Sequence, residues 1–159
     1  MEFFTPCWIV LGMMFPSEPS VSYVHKQSKT FAQRLKTCNR VASVAVKNNV
    51  DPALAIAVAF SESRFSKPTS DKGAKGPLGV IPRYHCPKSK EKCDYLQAGV
   101  VALRKFLDIN NMDYCQSLAQ YNRGLEGKCK EGRSEYKYAQ FILSLYDEIC
   151  AKTDLCTGC

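Results

Sequence analysis

The chain lacks an apolar run long enough to cross a bilayer, which takes about 20 residues. Its nearest approach, FFTPCWIVLGMMF over residues 3–15, falls short. It lacks low-complexity stretches and internal repeats, so neither a solenoid nor a disordered polymer is in view. It lacks a credible pair of β-strands, although one long Gly/Pro-rich loop leaves room for a short hairpin. Zinc-finger spacing and basic–aromatic nucleic-acid motifs are missing, which leaves nucleic acid the least supported partner. His25 and His85 are the only histidines. Apart from Cys86 beside His85, neither adjoins a cysteine–carboxylate cluster of metal-ligand spacing. No metal or cofactor is expected. A lone CxxC, Cys156 with Cys159, sits in the tail without the strand–helix context of a redox motif.

What is present suits one globular domain with short extensions: 159 residues, 45% of them hydrophobic. The formal charge of +7 is spread along the chain and points to an anionic partner, such as a cell wall or a membrane surface. Nine cysteines are many for this length. Cys7 lies in the apolar N-terminal run. The remaining eight suit an oxidising compartment and up to four disulfides, with 105 pairings open. Cys86 with Cys93 and Cys115 with Cys129 would each close a short local loop. Cys38 with Cys150 would tie the first domain helix to the last.

Residues 3–15 have the length of a signal-peptide core, but Glu2 replaces the usual basic residues and Pro6 interrupts the run. Ser20 and Ser22 suit cleavage before Tyr23. An uncleaved anchor and a segment packed on the domain are the other readings. Residues 16–22, PSEPSVS, read as a linker. The segments are therefore a signal-like N-terminus with linker (1–25), a domain (26–150) and a cysteine-containing tail (151–159). Within the domain, Phe31, Leu35, Cys38, Ala42 and Ala45 form a helical stripe over residues 30–49. A second helix starts at Asp51, a third follows Asp94, a short one follows Asp113 and a last one starts at Ser134, which serves as its cap. Residues 66–89 are too rich in Gly and Pro for a long helix, and a loop of that length suggests function.

The stretch DPALAIAVAFSES, residues 51–63, organises the chain. Asp51 caps it and Pro52 occupies the first turn, where a missing N–H costs nothing. Residues 53–60 are all apolar, so this helix is buried on every side. Glu62 then shares a face with Val58, Ala59, Leu54 and Ala55. Desolvation and the negative end of the helix dipole both raise the pKa of a carboxyl so placed, which is what a general acid needs. The alternative is that the helix ends at Ser61 and Glu62 points into water.

Four pieces then occur in order: Glu62-Ser63 after the apolar helix; Ser70-Asp71-Lys72-Gly73-Ala74-Lys75-Gly76 with Leu78 and Pro82; Ala119-Gln120-Tyr121-Asn122-Arg123-Gly124; and Tyr138 on the final helix. Together they resemble the soluble lytic transglycosylase family, whose pattern is E-S, S-x-x-G-A-x-G-L-M-Q, A-Y-N-A-G and a late Tyr. The resemblance covers roughly residues 29–149. It implies an all-α, lysozyme-like, goose-type domain, with at most a minor hairpin, that cleaves the MurNAc–GlcNAc bond of peptidoglycan without water. Glu62 would be the single catalytic residue, first acid and then base, leaving a 1,6-anhydro end. Ser63, Ser70, Gly76, Leu78, Tyr121, Asn122 and Tyr138 would line the substrate, with Tyr138 facing the acid; the structural alternatives are a turn cap for Ser70, turn shape for Gly76, a helix end for Asn122 and the apolar stripe of the last helix for Tyr138. The resemblance further implies an exported monomer in the periplasm or outside the cell, or one held at a membrane or virion. Its partners would be glycan strands and a wall-turnover, secretion, conjugation or phage-entry assembly.

Two departures stand out. The family's glutamine is Gly79 here, and the second alanine of A-Y-N-A-G is Arg123. Asp71 and Glu126 are the candidate bases for a hydrolytic muramidase of the same fold. A non-catalytic wall-binding module is the remaining alternative.

Overall fold

The computed structural model describes residues 3–15, 21–66, 73–87 and 92–157. Over these residues it consists of seven helices: α1 (Phe4–Met14), α2 (Val21–Lys47), α3 (Pro52–Ser63), α4 (Pro82–His85), α5 (Tyr95–Ile109), α6 (Tyr114–Arg123) and α7 (Ser134–Lys152). There is no strand among the described residues. One antiparallel bridge joins Lys75 to Val80 in the loop after α3.

α3 is the axis. Asp51 accepts the Ala53 N–H at 3.0 Å, and Pro52 opens the helix. Every residue from Pro52 to Phe60 is buried. Alternating alanines keep its girth small, so α2 and α7 pack closely on it. Leu54, Ile56 and Val58 each contribute about 1.5–3 kcal/mol by leaving water. The second oxygen of Asp51 gathers the neighbours. It accepts from Tyr146 Oη at 2.7 Å, Tyr114 Oη at 3.2 Å and the Thr157 N–H at 3.1 Å. The start of α3 is thereby tied to α6, α7 and the C-terminal tail.

The capping signals at Asp94 and Asp113 hold: each side chain accepts an N–H from the first turn, of Gln97 and Gln116 respectively. Ser134 does not cap α7. It is the first helical residue, and Arg133 precedes it without a side-chain cap. α2 begins at Val21 rather than at residue 30, because no Gly or Pro interrupts the sequence from there to Lys47. Ser22, expected in a linker, lies inside this helix, and residues 16–20 fall outside the described residues.

Four cysteine pairs stand at disulfide distance: Cys7–Cys38, Cys86–Cys93, Cys115–Cys129 and Cys150–Cys156. The two short-loop pairs match expectation. The Cys38–Cys150 pairing does not form. Cys38 bonds Cys7 because the apolar run packs on α2 as a helix, with Cys7, Val10 and Leu11 fully buried. Cys150 instead fastens the tail, where Leu155 is also buried. Pro6 leaves α1 intact because it falls in the first turn, whose N–H groups have no helical partner. Among the described residues, no helix is long and apolar enough to cross a membrane.

Candidate active site

Glu62 lies in the last turn of α3, half-buried. The helix stops just beyond it because Arg64 and Phe65 take left-handed conformations in succession, with φ of 52° and 60°. Such residues cost about 1–3 kcal/mol each. Burial repays this at Phe65, which has no exposed surface and sits among Phe60 and Phe15 with centroids 6.1 and 6.4 Å away. Phe15 brings α1 into this support, and the Arg34 guanidinium covers its outer face at 3.8 Å.

The turn at residues 75–80 comes back over Glu62. Lys75 and Val80 exchange N–H···O bonds of 2.7 and 2.9 Å. Ser63 Oγ lies 2.8 Å from the Pro77 carbonyl and 3.0 Å from the Ala59 carbonyl, so its one proton is shared between helix and turn. Tyr121 Oη donates to the Leu78 carbonyl at 2.6 Å. The Leu78 side chain is fully buried against Gly99, where an added Cβ would stand 2.7 Å from Leu78 Cβ. Gly76 faces α5: a Cβ there would meet Tyr95 Cβ at 2.6 Å. Ser63, Gly76, Leu78 and Tyr121 therefore engage the protein itself and build the turn. The glycine beside the carboxylate is Gly79, with φ of +66° and Glu62 Oε2 only 2.5 Å from where a Cβ would begin.

Tyr138, on α7, donates its hydroxyl to Glu62 Oε1 at 2.6 Å. Burial pushes the Glu62 carboxyl above the ordinary carboxylate range, and the Tyr138 hydrogen bond opposes this in part. Burial, and then the charge of Glu62, hold both the Tyr138 and the Tyr121 hydroxyl well above the usual phenol range. Both remain donors across the biological pH range.

α6 carries the second motif. Leu118, Ala119 and Gln120 are buried, and Asn122 and Arg123 are exposed. The loop beyond is pinned at both ends of the Gln116 amide, which donates to the Gly127 carbonyl at 2.8 Å and accepts from the Cys129 N–H at 2.9 Å. Gly127 lies on the Ala119 carbonyl with no room for a side chain. Sequence reasoning did not single out Glu135, a fully buried carboxylate at the start of α7. Its own backbone N–H holds it below the ordinary range, helped by the Lys128 N–H and the charges of Arg123 and Arg133, while burial acts in the opposite direction. It anchors the loop as an anion; an acidic residue in a first helical turn is the signal that marks it.

Ser70 and Asp71 lie outside the described residues, and Glu126 is exposed in the loop after α6. Among the described residues no second carboxylate is hydrogen-bonded to Glu62, Tyr138 or Tyr121. His85 is half-buried on α4, its pKa lowered by burial and by Lys105. Comparison with protein-family models, with curated proteins and with solved structures finds no match to this chain.

Proposed function

We propose that the chain is a peptidoglycan lytic transglycosylase of lysozyme-like helical fold, acting in an oxidising, non-cytoplasmic compartment. The observation that carries the reading is the Glu62–Tyr138 pair: a desolvated carboxyl at the end of a buried helix, with one oxygen held by a phenol at 2.6 Å. Burial raises the pKa of this carboxyl, in the direction a general acid needs, and the phenol fixes the direction in which its proton is offered. The four cysteine pairs at disulfide distance support the compartment. The charge of +7 supports an anionic polymer as substrate.

In this mechanism Glu62 gives its proton to the glycosidic oxygen between MurNAc and GlcNAc as the C1–O bond breaks. The resulting carboxylate takes the proton of the MurNAc C6 hydroxyl as that oxygen bonds to C1. The 1,6-anhydro ring closes, no water is consumed and Glu62 is regenerated. Tyr138 steadies the carboxylate between the two transfers.

Mass spectrometry of fragments released from purified peptidoglycan tests the reading, with Glu62→Gln in parallel. Anhydro-ended fragments, lost in the variant, are expected. Reducing ends would make the protein a muramidase that activates water. Absence of release would leave a wall-binding module.

A further inference from the structure

We propose that Gly79 is a positioning residue: its bare Cα lets the Glu62 carboxyl rest with Oε1 on Tyr138 and leaves Oε2 as the oxygen that trades its proton with substrate. The proposal rests on the acid role of Glu62 given above and assigns it to one atom.

Three observations support it. Oε1 already accepts the Tyr138 hydroxyl at 2.6 Å, and among the described residues Oε2 has no hydrogen-bond partner. In the protonated carboxyl, the oxygen that accepts from Tyr138 is the carbonyl oxygen, so the acidic proton resides on Oε2. The second observation is space. A Cβ at position 79 would stand 2.5 Å from Glu62 Oε2, 3.1 Å from Cδ and 3.2 Å from Cβ. Atoms of a real side chain do not approach so closely, and one partner must move.

The third observation is that the turn cannot be the one to move. Ser63 and Tyr121 hold the Pro77 and Leu78 carbonyls, and the Lys75–Val80 bridge closes the base. Gly76 abuts Tyr95, and Leu78 is buried on Gly99. The flexible partner is the Glu62 side chain, which would rotate away and lose Tyr138. The family pattern has a glutamine at this place, but in this chain's turn, with φ of +66° at residue 79, a Cβ takes both the direction and the access of the working oxygen.

The test compares Gly79→Ala with Gly132→Ala. Gly132 also has a left-handed φ, +92°, but nothing lies within 4 Å of its would-be Cβ. It imposes backbone strain alone. Gly79→Ala is expected to lower kcat for glycan cleavage about 100-fold with little change in KM, the scale of a misplaced catalytic group. Loss of the Tyr138 bond should also shift the Glu62 carboxyl titration to higher pH, followed by 13C NMR of labelled glutamate and assigned with Glu62→Gln. Gly132→Ala should lower the thermal midpoint and leave rate and titration unchanged.

A Gly79→Ala protein with wild-type rate and titration overturns the proposal. If the wild type cleaves no glycan, the functional reading fails, while the titration shift still decides the role of Gly79. If Gly79→Ala does not fold, the double variant Gly79→Ala/Glu62→Ala decides. Removing the carboxyl makes room for the new Cβ, so the double variant should fold where the single does not, and equal failure of both overturns the proposal.

Discussion

At the scale of single residues, one hydrogen bond sets the part that Glu62 plays in the proposed mechanism. Tyr138→Phe keeps the ring and removes the donor. Hydrogen bonds to charged groups contribute about 1.5–3 kcal/mol, so kcat should fall roughly 10- to 100-fold. Because that bond favours the ionised form, its loss should raise the Glu62 pKa and carry the alkaline limb of the pH–rate profile upward. A limb unmoved by Tyr138→Phe would separate the phenol from the acid. The same carboxylate also bears on stability. Its folded pKa lies above the unfolded one, so the folded state binds the extra proton and stability declines as pH rises between the two values. Glu62→Gln keeps an acceptor for Tyr138 and removes this penalty. Its thermal midpoint should therefore exceed that of the wild type at neutral pH. The gain should accumulate above the ordinary carboxylate range and vanish in acid.

At the scale of elements, α3 holds two carboxylates with opposite effects. Asp51 stands at the positive end of the helix dipole and accepts from donors that include Ala53, Tyr114, Tyr146 and Thr157. Glu62 stands at the negative end and, among the described residues, has one donor. Asp51→Ala removes a cap worth about 1 kcal/mol and leaves several donors unpaired at about 1–3 kcal/mol each. It should cost at least about 3 kcal/mol in denaturant unfolding, against the stabilisation expected for Glu62→Gln. The turn over Glu62 depends on α6 in the same way. Tyr121→Phe releases the Leu78 carbonyl and should speed amide exchange across residues 78–80 while α3 stays protected.

At the scale of the whole molecule, the four cross-links act over different spans. Sequence separations are 31 for Cys7–Cys38, 14 for Cys115–Cys129 and 7 for Cys86–Cys93. Loop-closure entropy then ranks their removal at about 4, 3 and 2 kcal/mol. Serine pairs at each should lower the thermal midpoint in that order. The first has a further consequence. α1 carries Phe15 onto Phe60 and Phe65, which shape the end of α3. Loss of Cys7–Cys38 should therefore reduce the proposed glycan cleavage well below the unfolding temperature, whereas loss of Cys86–Cys93 should not.

Much of the helical framework was legible in the chain because it is decided locally. The caps at Asp51, Asp94 and Asp113 act within one turn, and the short cysteine loops close on themselves. An uninterrupted apolar run marks α3 as buried without reference to any partner. The rest needed the third dimension. Hydrophobicity alone does not tell a signal core from a core helix, so the partner of Cys38 emerged only when α1 was seen packed on α2. Glu62 and Tyr138 are 76 residues apart, and periodicity says nothing about which faces of α3 and α7 meet. Gly79 stands in sequence only as a departure from the pattern the chain resembles. Only the turn folded back on α3 shows it as the place where no side chain fits beside the acid. Local spacing determined the elements, and long-range packing decided which atoms stand next to the carboxyl.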